Sequence, residues 1–179
     1  MDVVEDTPTA EPLSEPAQSR MATPSRSDVM GVSGGGLGLI KDFEKLELKG
    51  YYATKDELDR GIVSVGYGST GRVKMGETIN EQMAEQFLLE DVGAAERAIQ
   101  RLVKVPLKQH EYDALVSLVY NVGEGNFEKS KALKALNSGD RDRFLYEAFD
   151  AKAGFTKQSG KVLKGLVRRR KAEMELFQG

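Results

Sequence analysis

The chain has 179 residues, 40% of them hydrophobic, and a formal net charge of −2. That is enough apolar material to bury one sizeable core, and too little clustered base for a nucleic-acid binder. The absence of cysteine excludes a disulfide framework and a thiolate metal site, and the single histidine, His110, builds no metal centre alone.

The charge is uneven along the chain. Residues 1–36 carry six acids against Arg20 and Arg26, which leaves 24 bases and 22 acids in the remainder. A mildly basic body suits an anionic polymer weakly. Residues 1–36 also hold four of the five prolines, many Ser and Thr, and end in Gly34-Gly35-Gly36. Such a composition cannot bury enough apolar surface to offset chain entropy. It reads as a flexible arm or linker, with a docking arm that orders on a partner as the second reading. It has no apolar stretch of signal-peptide type, and nowhere does the chain approach 18 consecutive apolar residues, so no membrane insertion is expected. There is no internal repeat. The expected division is an arm over 1–36 and one domain over 37–179.

From Leu37 the pattern becomes helical. Leu37, Ile40 and Glu44 fall within about 60° on a helical wheel, which turns Glu44 toward an apolar face. Burial favours the neutral acid over the carboxylate, the form a proton donor needs. Tyr51-Tyr52-Ala53 and Ile62 to Tyr67 are β-rich runs on either side of the charged segment Thr54 to Gly61, and read as a hairpin. Gly66 to Gly71 satisfies G-x-G-x-x-G. No helix opens after it, since Arg72 to Thr78 contains Gly76 and reads as loop, so a dinucleotide site is excluded.

The remainder is helical in pattern. Thr78 or Asn80 caps a helix running to about Val103, and Thr78 with Glu81 would form a capping box. After Pro106 a second helix carries Tyr112, Leu115, Val116, Val119 and Tyr120 on its apolar stripe, and Asn121 to Gly125 stops it. Shorter helices are expected near Ser130–Leu136 and Arg141–Phe149, and a last one over Leu166–Phe177. On that last helix Arg170 shares a face with Leu166, Met174 and Phe177 while Arg168 points outward. An inward Arg needs a partner, and Glu44 is the candidate, with Arg169 as the second choice for that role.

Five segments in order resemble one family. They are Phe43 to Tyr51; Val65 to Gly71; Val105-Pro106-Leu107 with Tyr112 to Ser117; Tyr120-Asn121-Val122-Gly123; and Gly165 to Arg170 with Ala172-Glu173. Together they resemble the phage-type lysozymes, the endolysin-like muramidases of glycoside hydrolase family 24. The resemblance implies a mainly α (α+β) fold in two lobes, one a small β-hairpin lobe and the other helical, with a cleft between them. It implies hydrolysis of the β-1,4 bond between N-acetylmuramic acid and N-acetylglucosamine in peptidoglycan, with no cofactor and no metal. Asn121 is then expected to bind substrate.

The family pattern is a Glu, an acid or occasionally Cys nine residues later, and a Thr on the second hairpin strand. Glu44 takes the first role, and Ser64 stands at the Thr position. Ala53 stands where the acid is expected, and a His commonly found in the glycine turn is here Ser69. The hairpin turn is longer than the family's usual one and holds Asp56 and Asp59. Spacing favours Asp59, five residues before Ser64, as the replacement acid, with Asp56 eight before it. If neither acid reaches the cleft, two other readings open: a lytic transglycosylase-like enzyme working with Glu44 alone, or an inactive glycan-binding or structural virion protein. The expected site is thus Glu44, Asp59, Ser64 and Asn121, with Arg170 in support. The protein would act on the cell wall after release at lysis, or travel in a phage particle held by its N-terminal arm.

Overall fold

The structure, a computed structural model, describes residues 30–179. The readings of the first 29 residues as a flexible or docking arm lie outside the described part.

The first helix, α1 (Gly34–Phe43), begins three residues before the expected boundary at Leu37. Gly34 to Gly36 are its first turn, not a linker. Ser33 caps it, its hydroxyl accepting from the N–H groups of Gly35 and Gly36 and donating to Asp113 Oδ2 at 2.5 Å. The glycine at position 36 has a packing reason. A Cβ there would lie 2.6 Å from Val32 Cγ2 and 2.9 Å from Asp113 Cβ, so only Gly allows α1 this close to the helix that carries Asp113. Val32 N–H donates to Glu96 at 2.6 Å, so the segment ahead of α1 is tied to the helical body.

The small lobe follows. Strand β1 (Glu47–Tyr51) pairs with β2 (Ser64–Gly66), and β2 pairs with β3 (Ser69–Thr70), all antiparallel. The first strand thus lies earlier than the expected Tyr51–Ala53. Its far edge is covered by the segment 74–79, through Gly50 N–H to Glu77 O and Ile79 N–H to Leu48 O. Between β1 and β2 the expected open turn is a helical one, α2 (Lys55–Arg60), capped by Thr54 and closed by Gly61 at φ +66°. Thr54-Lys55-Asp56-Glu57 is a T-x-x-E sequence ahead of a left-handed Gly, the signature of a short capped helix.

Helix α3 (Glu81–Leu102), capped by Asn80 rather than Thr78, passes from one lobe to the other. Its start packs on Val65 and Ile79 through Ala84 and Phe87, and its remainder enters the main core. There α4 (Gln109–Val122) is central, with Tyr112, Ala114, Leu115, Val116, Leu118 and Val119 all buried. Around it lie α1, α3 and α8 (Lys164–Gln178). Short helices α5 (Glu124–Glu128), α6 (Lys131–Asn137) and α7 (Arg141–Phe149), and a hairpin of β4 (Lys157–Gln158) and β5 (Lys161–Val162), complete the helical lobe. The rings of Phe144, Phe149 and Phe177 join α7 to α8 at centroid distances of 4.8 to 6.1 Å. His110 is a helix-end tie, its Nδ1 2.9 Å from Phe177 O. No helix among the described residues is long and apolar enough to cross a membrane.

Candidate active site

Glu44 terminates α1. Its N–H still reaches Ile40 O at 3.0 Å, but its backbone is already extended, so the side chain leaves the helix end. Among the described residues the carboxylate is held on one side only. Oε1 pairs with Arg169 Nη1 at 2.5 Å, the guanidinium being 4% exposed and the carboxylate side chain 22%. Oε2 looks toward the β2–β3 turn, where a Cβ on Gly68 would lie 3.5 Å from it.

Arg169 comes from α8, with Arg170 beside it, and both are buried. Glu173 stands four residues after one and three after the other, so a single carboxylate meets both guanidinia on the helix surface. Arg169 Nε donates to Glu173 Oε1 at 3.1 Å, Arg170 Nε lies 2.8 Å from Oε2, and Ser117 Oγ on α4 donates to Oε1 at 2.7 Å. Two cations and two anions thus balance in the wall of the cleft, the condition under which buried charges are tolerated. Desolvation pushes the Arg170 guanidinium down to about 10, with Glu173 opposing.

The expected partner of Glu44 was Arg170; the structure gives that place to Arg169. The two side chains leave α8 about 100° apart. Arg169 therefore turns to α1, where it also stacks over Phe43 at 5.7 Å. Arg170 turns toward the end of α4, where its Nη2 donates to Asn121 Oδ1 at 2.7 Å. Asn121 lines two adjoining cavities. One, of about 400 Å³, runs past Gly68, Thr70, Asp91, Tyr120 and Glu124. The other, of about 650 Å³, runs past Asn126, Lys129, Phe155 and Lys157. Both volumes are in the range of ligand clefts. Tyr120 closes the back of the first, its hydroxyl donating to Tyr67 O at 2.6 Å. Burial, and then the nearby Glu44 charge, push that hydroxyl's ionisation well above its ordinary value.

Asp59 is not brought to this cleft. It is exposed on α2, and Asp56 is exposed and paired with Arg60 at 3.2 Å. The reason is rotational: on a six-residue helix Asp59 lies roughly 200° from Glu57, so one faces the sheet and the other solvent. Glu57 is the acid that faces inward. Its Oε2 accepts from Ala53 N–H at 2.7 Å and from Ser64 Oγ at 3.0 Å. Ser64 is buried on β2, at 2% exposure. The other expected departure, Ser69, donates to Asp91 at 2.5 Å, and Asp91 also pairs with Arg72. Glu57 was missed because the segment read as an open turn, although the T-x-x-E signature at 54–57 marks the start of a helix there.

Residues 41–173 match the family described as Phage lysozyme. The chain belongs to the phage lysozyme family. It is 40% identical over 151 residues to an endolysin of Acyrthosiphon pisum secondary endosymbiont phage 1, covering 83% of this chain and 99% of that protein. It is 38% identical over 149 residues to an endolysin of Bacillus phage B103, covering 83% of this chain but 54% of that longer protein, about half its length. Among solved structures it is similar to the muramidase domain of SpmX from Asticaccaulis excentricus, with a TM-score of 0.72 and 32% identity over 83% of this chain and 97% of that one. The mainly α, two-lobed fold expected from the resemblance is therefore the fold observed. Ala53, at the position where the family pattern has an acid, donates its N–H to Glu57 Oε2.

Proposed function

We propose that the protein is a muramidase that hydrolyses the β-1,4 bond between N-acetylmuramic acid and N-acetylglucosamine in peptidoglycan, with Glu44 as proton donor. The observation that carries this reading is the one-sided hold on Glu44. A buried guanidinium fixes one carboxyl oxygen and its rotamer, while the other oxygen looks across the cleft at Gly68. A group held in this way gives its proton to the glycosidic oxygen without first reorganising. Family membership and relatives named as endolysins and as a muramidase domain support the same activity.

Asn121 serves as a substrate contact and Arg170 as its support. With its carbonyl occupied by Arg170, the Asn121 side-chain amide presents its NH₂ to the two cavities, a donor for sugar hydroxyl or acetamido oxygens. Ser64 positions a carboxylate and does not react itself. The acidic, proline-rich segment ahead of residue 30 suits contacts with virion proteins, a role that composition alone supports; the site of action is the cell wall.

Purified protein on peptidoglycan, with mass analysis of the sugar ends, tests the activity. Reducing ends are expected. Anhydro ends would replace hydrolysis by transglycosylation, and intact glycan would leave a binding module. Glu44→Gln keeps shape and acceptor but has no proton to give, so we expect activity to fall by a factor on the order of 10²–10⁴ with the fold unchanged. Activity within about tenfold of the parent would remove Glu44 from the mechanism.

A further inference from the structure

Hydrolysis of a glycosidic bond without a cofactor takes two carboxyl groups, one giving a proton and one ionised. Glu44 fills the first place, and the position expected to supply the second is Ala53. Of the other acids around the cleft, Glu47 is exposed on β1 and the rest are occupied. Glu173 is fully buried between two arginines. Asp91 pairs with Arg72, Glu124 with Arg101 and Glu85 with Lys41. Glu57 differs from all of them. It is half-buried, and among the described residues it makes no ion pair. Its two hydrogen bonds come from neutral donors, Ala53 N–H and Ser64 Oγ. Both bonds go to Oε2, and no donor among the described residues reaches Oε1. An oriented carboxylate with one free oxygen and no cation beside it is what a general base requires.

Both acids meet the hairpin of β2 and β3: Ser64 on β2 donates to Glu57 Oε2, and Glu44 Oε2 looks toward Gly68 in the turn that follows. Ser64, which holds Glu57, pairs across the sheet with Tyr51. Burial raises the ionisation of the Tyr51 hydroxyl, and the charges of Glu47, Glu57 and Glu44 add to that rise. Helix capping does not account for the arrangement. As the third helical residue of α2, Glu57 would in a capping box return to the N–H of Thr54. Instead it passes that group, takes the N–H of Ala53 and adds the hydroxyl of Ser64.

We propose that Glu57 is the base of this muramidase, a carboxylate delivered by the α2 turn to the place that Ala53 leaves without an acid. The proposal rests on the muramidase reading of Glu44. In the reacting complex Glu57 Oε1 takes a proton from a water molecule as the water oxygen bonds to the anomeric carbon. The bond from that carbon to the bridging oxygen breaks, and the oxygen leaves with the electron pair and the proton of Glu44. Glu57 ends protonated and Glu44 ionised, and proton exchange with solvent restores both. Ala53 and Ser64 are positioning residues, since they act through Glu57.

The test uses the full chain on peptidoglycan. Glu57→Gln keeps an acceptor for Ala53 and Ser64 but cannot take a proton. We expect kcat to fall about 100-fold, the scale of general-base catalysis, with KM within about twofold and the acid limb of the pH profile lost. Azide, a nucleophile that needs no base, should restore turnover in Glu57→Ala and give a glycosyl azide of inverted configuration. Ala53→Asp in the Glu57→Gln background should recover about tenfold or more, because it puts a carboxylate back at the same spot. If Glu57→Gln fails to fold, Glu57→Asp keeps charge and cap on a shorter arm and should lose about tenfold in kcat. Full activity of Glu57→Gln or of Glu57→Asp, with Glu44→Gln inactive, overturns the role of Glu57 and leaves the muramidase reading standing. Loss of activity with neither azide nor Ala53→Asp restoring it reduces Glu57 to a helix cap and also overturns the proposal. An active Glu44→Gln protein would instead strike the reading on which both rest.

Discussion

Glu44 and Glu57 are held by lobes of very different build. The helical lobe fixes Glu44 through Arg169, which is itself fixed by Glu173 and Ser117, within a core that includes Ile40, Leu115, Leu118, Phe144 and Phe177. The small lobe has strands of two to five residues and only Val65, Ile79 and Ala84 in its buried cluster. Glu57 is held there by local bonds, on a helix of six residues with no buried side chain of its own. The difference teaches that the two halves of the site have different sources of order. One carboxyl is positioned by long-range packing, the other by two hydrogen bonds within a dozen residues of sequence. Regions with few buried apolar contacts open at lower free energy than the global transition, so the small lobe is the part whose local stability sets the site's competence.

The largest effect on this contrast is expected from the helical side. Phe144 is fully buried against Phe149 and Phe177. Phe144→Ala removes that ring and leaves a cavity, at a cost of about 3–5 kcal/mol. Urea unfolding followed by circular dichroism reads it directly, and activity should be lost in step with the helical signal. A cost below about 1 kcal/mol would mean that this core relaxes freely, contrary to close packing.

A smaller effect, but a more selective one, belongs to Val65. It is fully buried in β2, between Ile79 and Ala84. Val65→Ala deletes about two methylene equivalents, or roughly 1.5 kcal/mol at about 0.8 per group. Because the small lobe contributes little of the total core, activity in a thermal series should fail below the temperature at which helicity is lost. Coincident midpoints would show that the two lobes melt as one unit and would remove the distinction between them.

The same contrast governs what was legible in the sequence. The apolar stripes of α3, α4 and α8 repeat over many residues, so their helices, the burial of Arg170 and the exposure of Arg168 all followed from periodicity. The family segments placed Glu44 at the cleft. Choosing Arg170 over Arg169 as its partner failed, because neighbouring residues about 100° apart on α8 both face inward and the wheel cannot say which neighbour each meets. The triple glycine read as linker by composition, yet a crossing with α4 at Asp113 requires Gly36, a tertiary cause invisible to local pattern. The segment 54–61 shows the opposite failure. Its helix is a local feature, written in Thr54, Glu57 and Gly61, and five charged residues around the single apolar Leu58 leave no apolar period to mark it. Glu57 is hidden with it, and the spacing points instead to Asp56 and Asp59, which the helix turns outward.

The smallest expected effect concerns the clamp between the lobes. Lys41 on α1 reaches Glu85 on α3 at 2.7 Å, and the Tyr67 hydroxyl at the β2–β3 turn donates to the same carboxylate at 3.1 Å. Lys41 also lies over the Tyr67 ring, 5.6 Å from its centroid. The helix that ends in Glu44 is thereby tied to the turn that faces it. The Lys41 hydrogen bond, with Tyr67 in support, holds the Glu85 carboxyl below its ordinary value of 4.5. The Glu85 partner holds the Lys41 ammonium above its ordinary 10.5. The signs then fix the window. A depressed carboxyl gives stability that is present above 4.5 and lost as pH falls through the lower folded value. A raised ammonium gives stability present below 10.5 and lost as pH rises through the higher folded value. The clamp therefore acts across the whole neutral range. The side chains are 35% and 42% exposed, so solvent screening limits the pair to about 0.5 kcal/mol. Glu85→Gln should lower the unfolding free energy by about that amount at pH 7, less at high salt. The gap to the parent protein should close as pH drops below the range where Glu85 is ionised. A gap that persists unchanged at acid pH would mean that Glu85 contributes through packing with Tyr67 and not through its charge.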